Sequence, residues 1–253
     1  MNSFAIASLA FGCFLGAALI GMVLHVKLPD DYLDADSRDV VKLVMGLIAT
    51  MAALVLGLLV ASANSSYDRQ NSELKALSVH IVLLDRTLKL YGPGAKEARD
   101  GLRDVVLQTH DRIWSPEAVR PENLNSKATR DTVYANIEKV LSLSPKTDAE
   151  RMMHSRALQE SESISESRLL LAEQLGSAIP WPFLTVLIFW ICVLFLGFGL
   201  FARFNATVTV ALLVGALSVA GAIFLILELN RPYTGLMRIS DEPLRSAMAQ
   251  IDQ

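Results

Sequence analysis

The residues able to do chemistry are scattered along this chain. His25, His80, His110 and His154 fall in four different segments, and none has a second ligand three or four positions away in a recognised metal pattern. Cys13 and Cys192 stand alone in apolar surroundings, where they read as packing residues rather than as a disulfide or a metal pair. Serines are abundant, but no base accompanies them in sequence, and no glycine-rich phosphate loop follows a strand. The reading is therefore not an enzyme, with no cofactor and no metal. What remains is charge at the ends of apolar runs and in polar stretches. Glu228, with Arg231 three residues on, closes an apolar run, as a local pair or as charges at a water-filled vestibule. Glu160, Glu162 and Glu166 punctuate a serine-rich stretch that reads as a solvent-facing helix lying over the rod that continues the second apolar run or, more sharply, as a carboxylate ring attracting cations.

The elements that must position such groups are membrane helices. Of the 253 residues, 52% are hydrophobic and 19% charged, with a mean hydropathy of +0.39, too apolar for an ordinary soluble domain. Four runs, Phe4 to Val26, Leu43 to Ala63, Phe183 to Ala202 and Ala206 to Leu227, each approach the roughly 20 residues a helix needs to cross the hydrocarbon, with no charge mid-span. The first lacks a basic n-region and a small-residue cleavage site, so it reads as a retained span. The fold class is an all-α integral membrane protein with four transmembrane helices and a helical cytoplasmic insert between the second and third. The expected divisions are residues 1–63, a first transmembrane pair; 64–181, the insert; 182–229, a second pair; and 230–253, a short tail with a helix.

Four spans put both termini and the insert on one side. Arg69, Lys75, Arg168, Arg231, Arg238 and Arg245 outnumber Lys27, Arg38, Lys42 and Arg203 opposite, which favours a cytoplasmic insert and cytoplasmic termini. The net charge of -3, without a basic patch, makes nucleic acid an unsuitable partner. Membrane lipids are the obligatory one.

Gly12 and Gly16 on the first span, and Ala53, Gly57 and Ala61 on the second, have the spacing of close helix contacts; with Asn64 the latter form a small and polar line. No Pro or Gly interrupts the chain between Leu58 and Tyr91, so the second span is expected to continue as one rod to about Leu90. Along it Leu74, Leu77, Ile81, Leu84 and Leu88 form an a/d seam that needs another helix, from the insert or from a second subunit. Tyr91-Gly92-Pro93-Gly94 ends the rod. Further helices are expected over about Ala95–Ile113, Ala128–Leu143 and Thr147–Ala178, joined by a surface connection from Glu117 to Lys127 and by Ser144-Pro145. Trp181 suits an interface anchor, the short Arg203-Phe204-Asn205 link makes spans three and four a hairpin, and Ser240-Asp241-Glu242 opens a terminal helix.

Three stretches carry a family resemblance: Gly57-Leu58-Leu59-Val60-Ala61-Ser62-Ala63, Leu84-Asp85-Arg86 ahead of Tyr91-Gly92-Pro93, and the run from Ala216 to Asn230. Over nearly its whole length the chain resembles an uncharacterised bacterial family of integral membrane proteins with a bestrophin-like domain. Bestrophins are homopentameric anion channels whose second helices line a narrow pore, with four spans, cytoplasmic termini and a helical insert. The resemblance thus implies an oligomeric channel or channel-like protein of the bacterial inner membrane, a pentamer by remote analogy. An aromatic neck on the second span and an acidic calcium clasp after the fourth are missing from this sequence, so metal gating is not implied. Ala53, Gly57, Ala61 and Asn64 become the candidate pore or close-packing face. The rival reading is a non-conducting scaffold that binds a protein partner through the insert, favoured if the seam is consumed within one subunit and no axial cavity exists.

Overall fold

The computed structural model describes residues 2–27, 35–114, 127–176, 181–202, 205–233 and 235–251, all helical or connecting, and at 35–37, 112–113, 127–130 and 175–176 the backbone alone. The elements are α1 (Ser3–Lys27), α2 (Ala35–Tyr91), a 3-10 turn (Pro93–Ala95), α3 (Lys96–Trp114), α4 (Lys127–Leu141), α5 (Asp148–Gly176), α6 (Trp181–Phe201), α7 (Ala206–Leu229) and α8 (Glu242–Ile251). Among the described residues, four helices are long and apolar enough to cross a membrane: α1, α2, α6 and α7. The expected Glu117–Lys127 connection, apart from Lys127, and the Arg203-Phe204 link lie outside the described residues.

Contacts divide the chain into two compact units. The first comprises Met1–Ser65 and Ala178–Asn230; the second comprises Ser66–Ser177 and Arg231–Gln253.

In the first unit α1 packs along both α6 and α7. Phe14 is fully buried and stacks on Phe195, with ring centroids 5.7 Å apart. Tight approach occurs where two glycines face the other helix's backbone. A methyl group on Gly21 would collide with the Leu196 carbonyl, and one on Gly199 with the Ala18 carbonyl. Small residues thus let α1 and α6 come close, as membrane helices without a hydrophobic driving force require. Gly12 and Gly16 do not make that contact within the chain, because nothing lies within 4 Å of a side chain at either position. The close contact sits farther along α1, at Gly21. Gly197 accommodates Met45 of α2, while α6 and α7 touch where Phe195 reaches Gly215.

α2 is one uninterrupted helix of 57 residues, as the absence of breakers predicts. It ends at Gly92, whose φ of 103° only glycine adopts without strain; the Gly92 N–H donates to the Leu88 carbonyl, and Pro93 forbids continuation.

In the second unit Leu74, Leu77, Ile81, Leu84 and Leu88 are each at most 2% exposed, so the seam is consumed within one chain. Leu77 to Leu88 pack with Ala98, Leu102 and Val106 of α3, Val140 of α4, and Ala157, Ile164 and Leu171 of α5. Leu74 joins Tyr233 and Ile239. The C-terminal segment is not a separate tail: Leu244, Ala247 and Ile251 of α8 belong to this same core. Thr147 caps α5, accepting from the Glu150 N–H, while the Glu150 carboxylate accepts from the Lys146 and Thr147 N–H groups. Those two donors hold the Glu150 carboxyl below the usual carboxylate range.

Candidate functional site

The small and polar line of α2 follows from helical spacing. Ala53, Gly57 and Ala61 recur every four residues and Asn64 follows three later, so the four form one stripe. All four are exposed on the chain, whereas Ala52, Leu59 and Ala63 are buried. A side chain at Gly57 would meet nothing within 4 Å. The close packing expected of this face is therefore not made at Gly57 within one chain.

Glu228 is only 5% exposed, at the inner face of α7 beside the buried Ile226 and Leu227. Arg231, named with it as a candidate vestibule charge, begins the segment leading to Tyr233. The proposed carboxylate ring is divided. Glu162 and Glu166 are exposed, but Glu160 is buried, joined to His80 Nδ1 at 2.9 Å and to Arg156 Nε at 3.2 Å. Ser161 and Ser167 are buried as well. The polar middle of α5 therefore lies over α2, as expected, with Gln159, Glu162 and Glu166 facing out, but Glu160, Ser161 and Ser167 are turned inward and not to solvent. Ser161 escapes desolvation by donating to the Ala157 carbonyl.

Two further polar clusters have no counterpart in the sequence reading. Asp85, 4% exposed, accepts from Arg99 Nε at 2.5 Å and Nη2 at 3.2 Å, and Arg99 Nη2 also donates to the Ile251 carbonyl at 3.0 Å. One guanidinium thereby ties α2, α3 and the end of α8 together. At the far end of α3, His110 stacks on Trp114 and contacts Asp241, which accepts from Arg245 Nε at 2.7 Å. Trp114 Nε1 donates to the Ile239 carbonyl, and its ring meets Tyr233 edge-on at 6.0 Å. The visible signal for the first cluster was Asp85 itself, a carboxylate one residue after a seam leucine.

The Tyr233 hydroxyl is buried and has no hydrogen-bond partner among the described residues, and burial pushes its phenol well above the usual range. Below pH about 10 the folded and unfolded chains are both neutral here; above it the unfolded chain ionises first, so stability falls as pH rises. Tyr233→Phe is expected to match or slightly exceed wild-type stability at pH 8, by up to about 1 kcal/mol, and to blunt the loss at pH 11. Thermal unfolding of the two proteins at both pH values checks this; a strongly destabilised Tyr233→Phe protein would reveal a hydrogen bond at that hydroxyl.

Among the described residues, no group of three or more His, Cys, Asp or Glu side chains is placed to hold a metal ion. The bestrophin-like domain model matches residues 12–244, from within α1 through α2, the insert, α6 and α7. The chain belongs to the bestrophin-like family. Its fold is also that of solved bacterial proteins. Two crystal structures of a bestrophin homolog from Klebsiella pneumoniae, each carrying a single substitution, align with TM-scores of 0.73 and 0.69 at 12% identity. The first covers 99% of this chain and 97% of the other, and the second 96% of each. A structure described only as a membrane protein aligns at 0.71 and 11% identity, covering 96% and 97%. No curated protein sequence matches. At these identities the likeness carries the fold, so the bestrophin-like chain is a multi-pass all-α membrane protein.

Proposed function

We propose that this bestrophin-like protein is an oligomeric ion channel, or a channel-like protein, of the bacterial inner membrane, with its insert and both termini cytoplasmic. The observation that carries the reading is the state of α2. Only 17% of its span is buried within the chain, against 44%, 39% and 28% for α1, α6 and α7, and its exposed surface includes the Ala53, Gly57, Ala61 and Asn64 stripe. An apolar span left so bare, yet carrying a stripe without bulk, suits a position around a shared axis. The absence of charge in the middle of the spans favours passive passage over coupled transport, which uses ionisable residues at depth. The pentameric number follows only by analogy with bestrophins.

Gly57→Leu is expected to lower ion flux at least about tenfold or to prevent assembly, since four new carbons would project from the stripe. The measurement is flux from liposomes under potassium and under chloride gradients, beside empty vesicles. Wild-type flux above the empty-vesicle baseline, lost in the variant, supports the channel and gives its charge preference; equal flux from both proteins removes the stripe from the argument.

The second reading, a non-conducting scaffold with a protein partner on the insert, draws support from the seam from Leu74 to Leu88, which is satisfied inside one chain and leaves no coiled coil to wrap an axis. Absence of flux from a correctly oriented oligomer would favour it.

A further inference from the structure

The outer faces of α2 and α3 carry matching patterns of opposite charge. On α2, Lys75, Val79, Val82 and Arg86 recur at intervals of four, three and four, on the side of the helix away from the Leu74 to Leu88 seam. Lys75, Val79 and Arg86 are exposed and Val82 is half-buried; Val79 is 56% exposed. With Ser246, Ala247 and Gln250 of α8 they line a groove of about 360 Å³. Arg86 Nη2 is held by Gln250 Oε1 at 3.2 Å, at one end of it. On α3, Asp100, Asp104, Leu107 and Asp111 recur at the same intervals, all exposed, on the side away from Leu102, Val105 and Val106. Arg103 lies to one side of that ridge. One helix thus presents apolar residues between two cations, and the other presents carboxylates around an exposed leucine.

The two patterns also match in level. The hairpin reverses at Pro93, and Lys75 and Asp111 are equally far from it in sequence, as are Val79 and Leu107, Val82 and Asp104, and Arg86 and Asp100. Antiparallel helices have the same rise per residue, so each such pair lies at one level along the hairpin. The Asp85–Arg99 ion pair, which crosses between the two helices inside the chain at nearly equal distances from the turn, fixes that register.

From this complementarity we propose that the α2/α8 groove receives the α3 ridge of a second copy of this chain. Lys75 meets Asp111, Val79 meets Leu107, and Arg86 meets Asp100 with Asp104 beside it. The contact is heterologous, because groove and ridge are different surfaces on opposite sides of the α2–α3 pair. Since the paired residues share a level, the operation relating neighbours has no rise along the hairpin, which a closed ring requires of a heterologous contact. Charged ends around an apolar centre set the register, and reversing one side brings like charges together. The inference rests on the oligomeric reading above and adds the surface that makes it.

The test uses the full chain in mild detergent, with Cys13→Ser and Cys192→Ser as background. Val79→Cys combined with Leu107→Cys is expected to give an oxidative ladder of dimers and larger species on denaturing gels, while either cysteine alone gives far less. On charge, Lys75→Glu with Arg86→Glu is expected to raise the concentration for half-assembly at least about tenfold. Adding Asp100→Lys and Asp111→Lys to that variant restores assembly, which a folding defect would not allow. An oligomer that neither cross-links nor responds to the reversals overturns this surface and leaves the oligomeric reading standing; a wild-type protein that is a monodisperse monomer overturns both.

Discussion

Replacing Arg99 by Met is expected to destabilise the helical insert by about 2–4 kcal/mol. Arg99 supplies both hydrogen bonds to the carboxylate of Asp85, whose side chain is 6% exposed, and a third to the Ile251 carbonyl at the end of α8. Methionine keeps much of the stem's volume but removes every donor, leaving a buried carboxylate and a helix-terminal carbonyl without that partner. The lower part of the range allows for the guanidinium side, 27% exposed, where water can replace part of what is lost. The double variant Asp85→Leu with Arg99→Met is expected to recover more than half of the loss, because no charge is then stranded. Thermal unfolding of the four proteins of this cycle, followed by tryptophan fluorescence, gives the coupling directly. An Arg99→Met protein as stable as wild type would show that water already serves Asp85 and that the ion pair contributes nothing net.

That arginine also marks the boundary of what the residues disclosed in advance. Periodicity is a property of neighbours, and it served wherever the determinant was local. The four apolar runs, the unbroken course of α2 past Leu58, its stop at Gly92-Pro93 and the seam from Leu74 to Leu88 all correspond to elements of the structure. Pairing between distant segments is another matter. Asp85 finds Arg99, His80 finds Glu160, and His110 finds Asp241 only after the chain has folded back, so none of these pairings was visible in the spacing of residues. Leu244, Ala247, Met248 and Ile251 do have helical spacing, and that stripe was the available sign that the terminal segment would enter the core. The candidate stripe on α2 was legible as a pattern of small residues; its exposure was not, because spacing alone does not say which face a neighbouring helix will cover. Gly12 and Gly16 show the same limit from the other side. Their spacing permits close approach, but α6 meets α1 at a different turn.

Gly21→Val and Gly199→Val, taken separately, are therefore expected to break the first unit, while Gly12→Ala is expected to be tolerated. At Gly21 a β-carbon would collide with the Leu196 carbonyl and come within 2.8 Å of the Leu200 nitrogen; at Gly199 it would collide with the Ala18 carbonyl and sit 3.0 Å from the Met22 nitrogen. The obstacles are backbone atoms of a facing helix, which no rotamer change can move, so α1 and α6 must separate along their length. Separation also withdraws Phe14 from its stack on Phe195 and opens space around the buried Leu187 and Ile191 of α6. The expected cost is about 3 kcal/mol or more, at or above the upper end for overpacked sites, because the strain is not confined to one side chain. At Gly12 the added methyl meets open space, and the helix gains from replacing glycine. Fluorescence-detected size exclusion after graded heating separates these outcomes: the two valine variants should lose their folded peak well below the wild-type temperature, and the Gly12→Ala protein should not. A stable Gly21→Val protein would mean that α1 and α6 are not held at this crossing, and the placement of α1 along α6 would have to be abandoned.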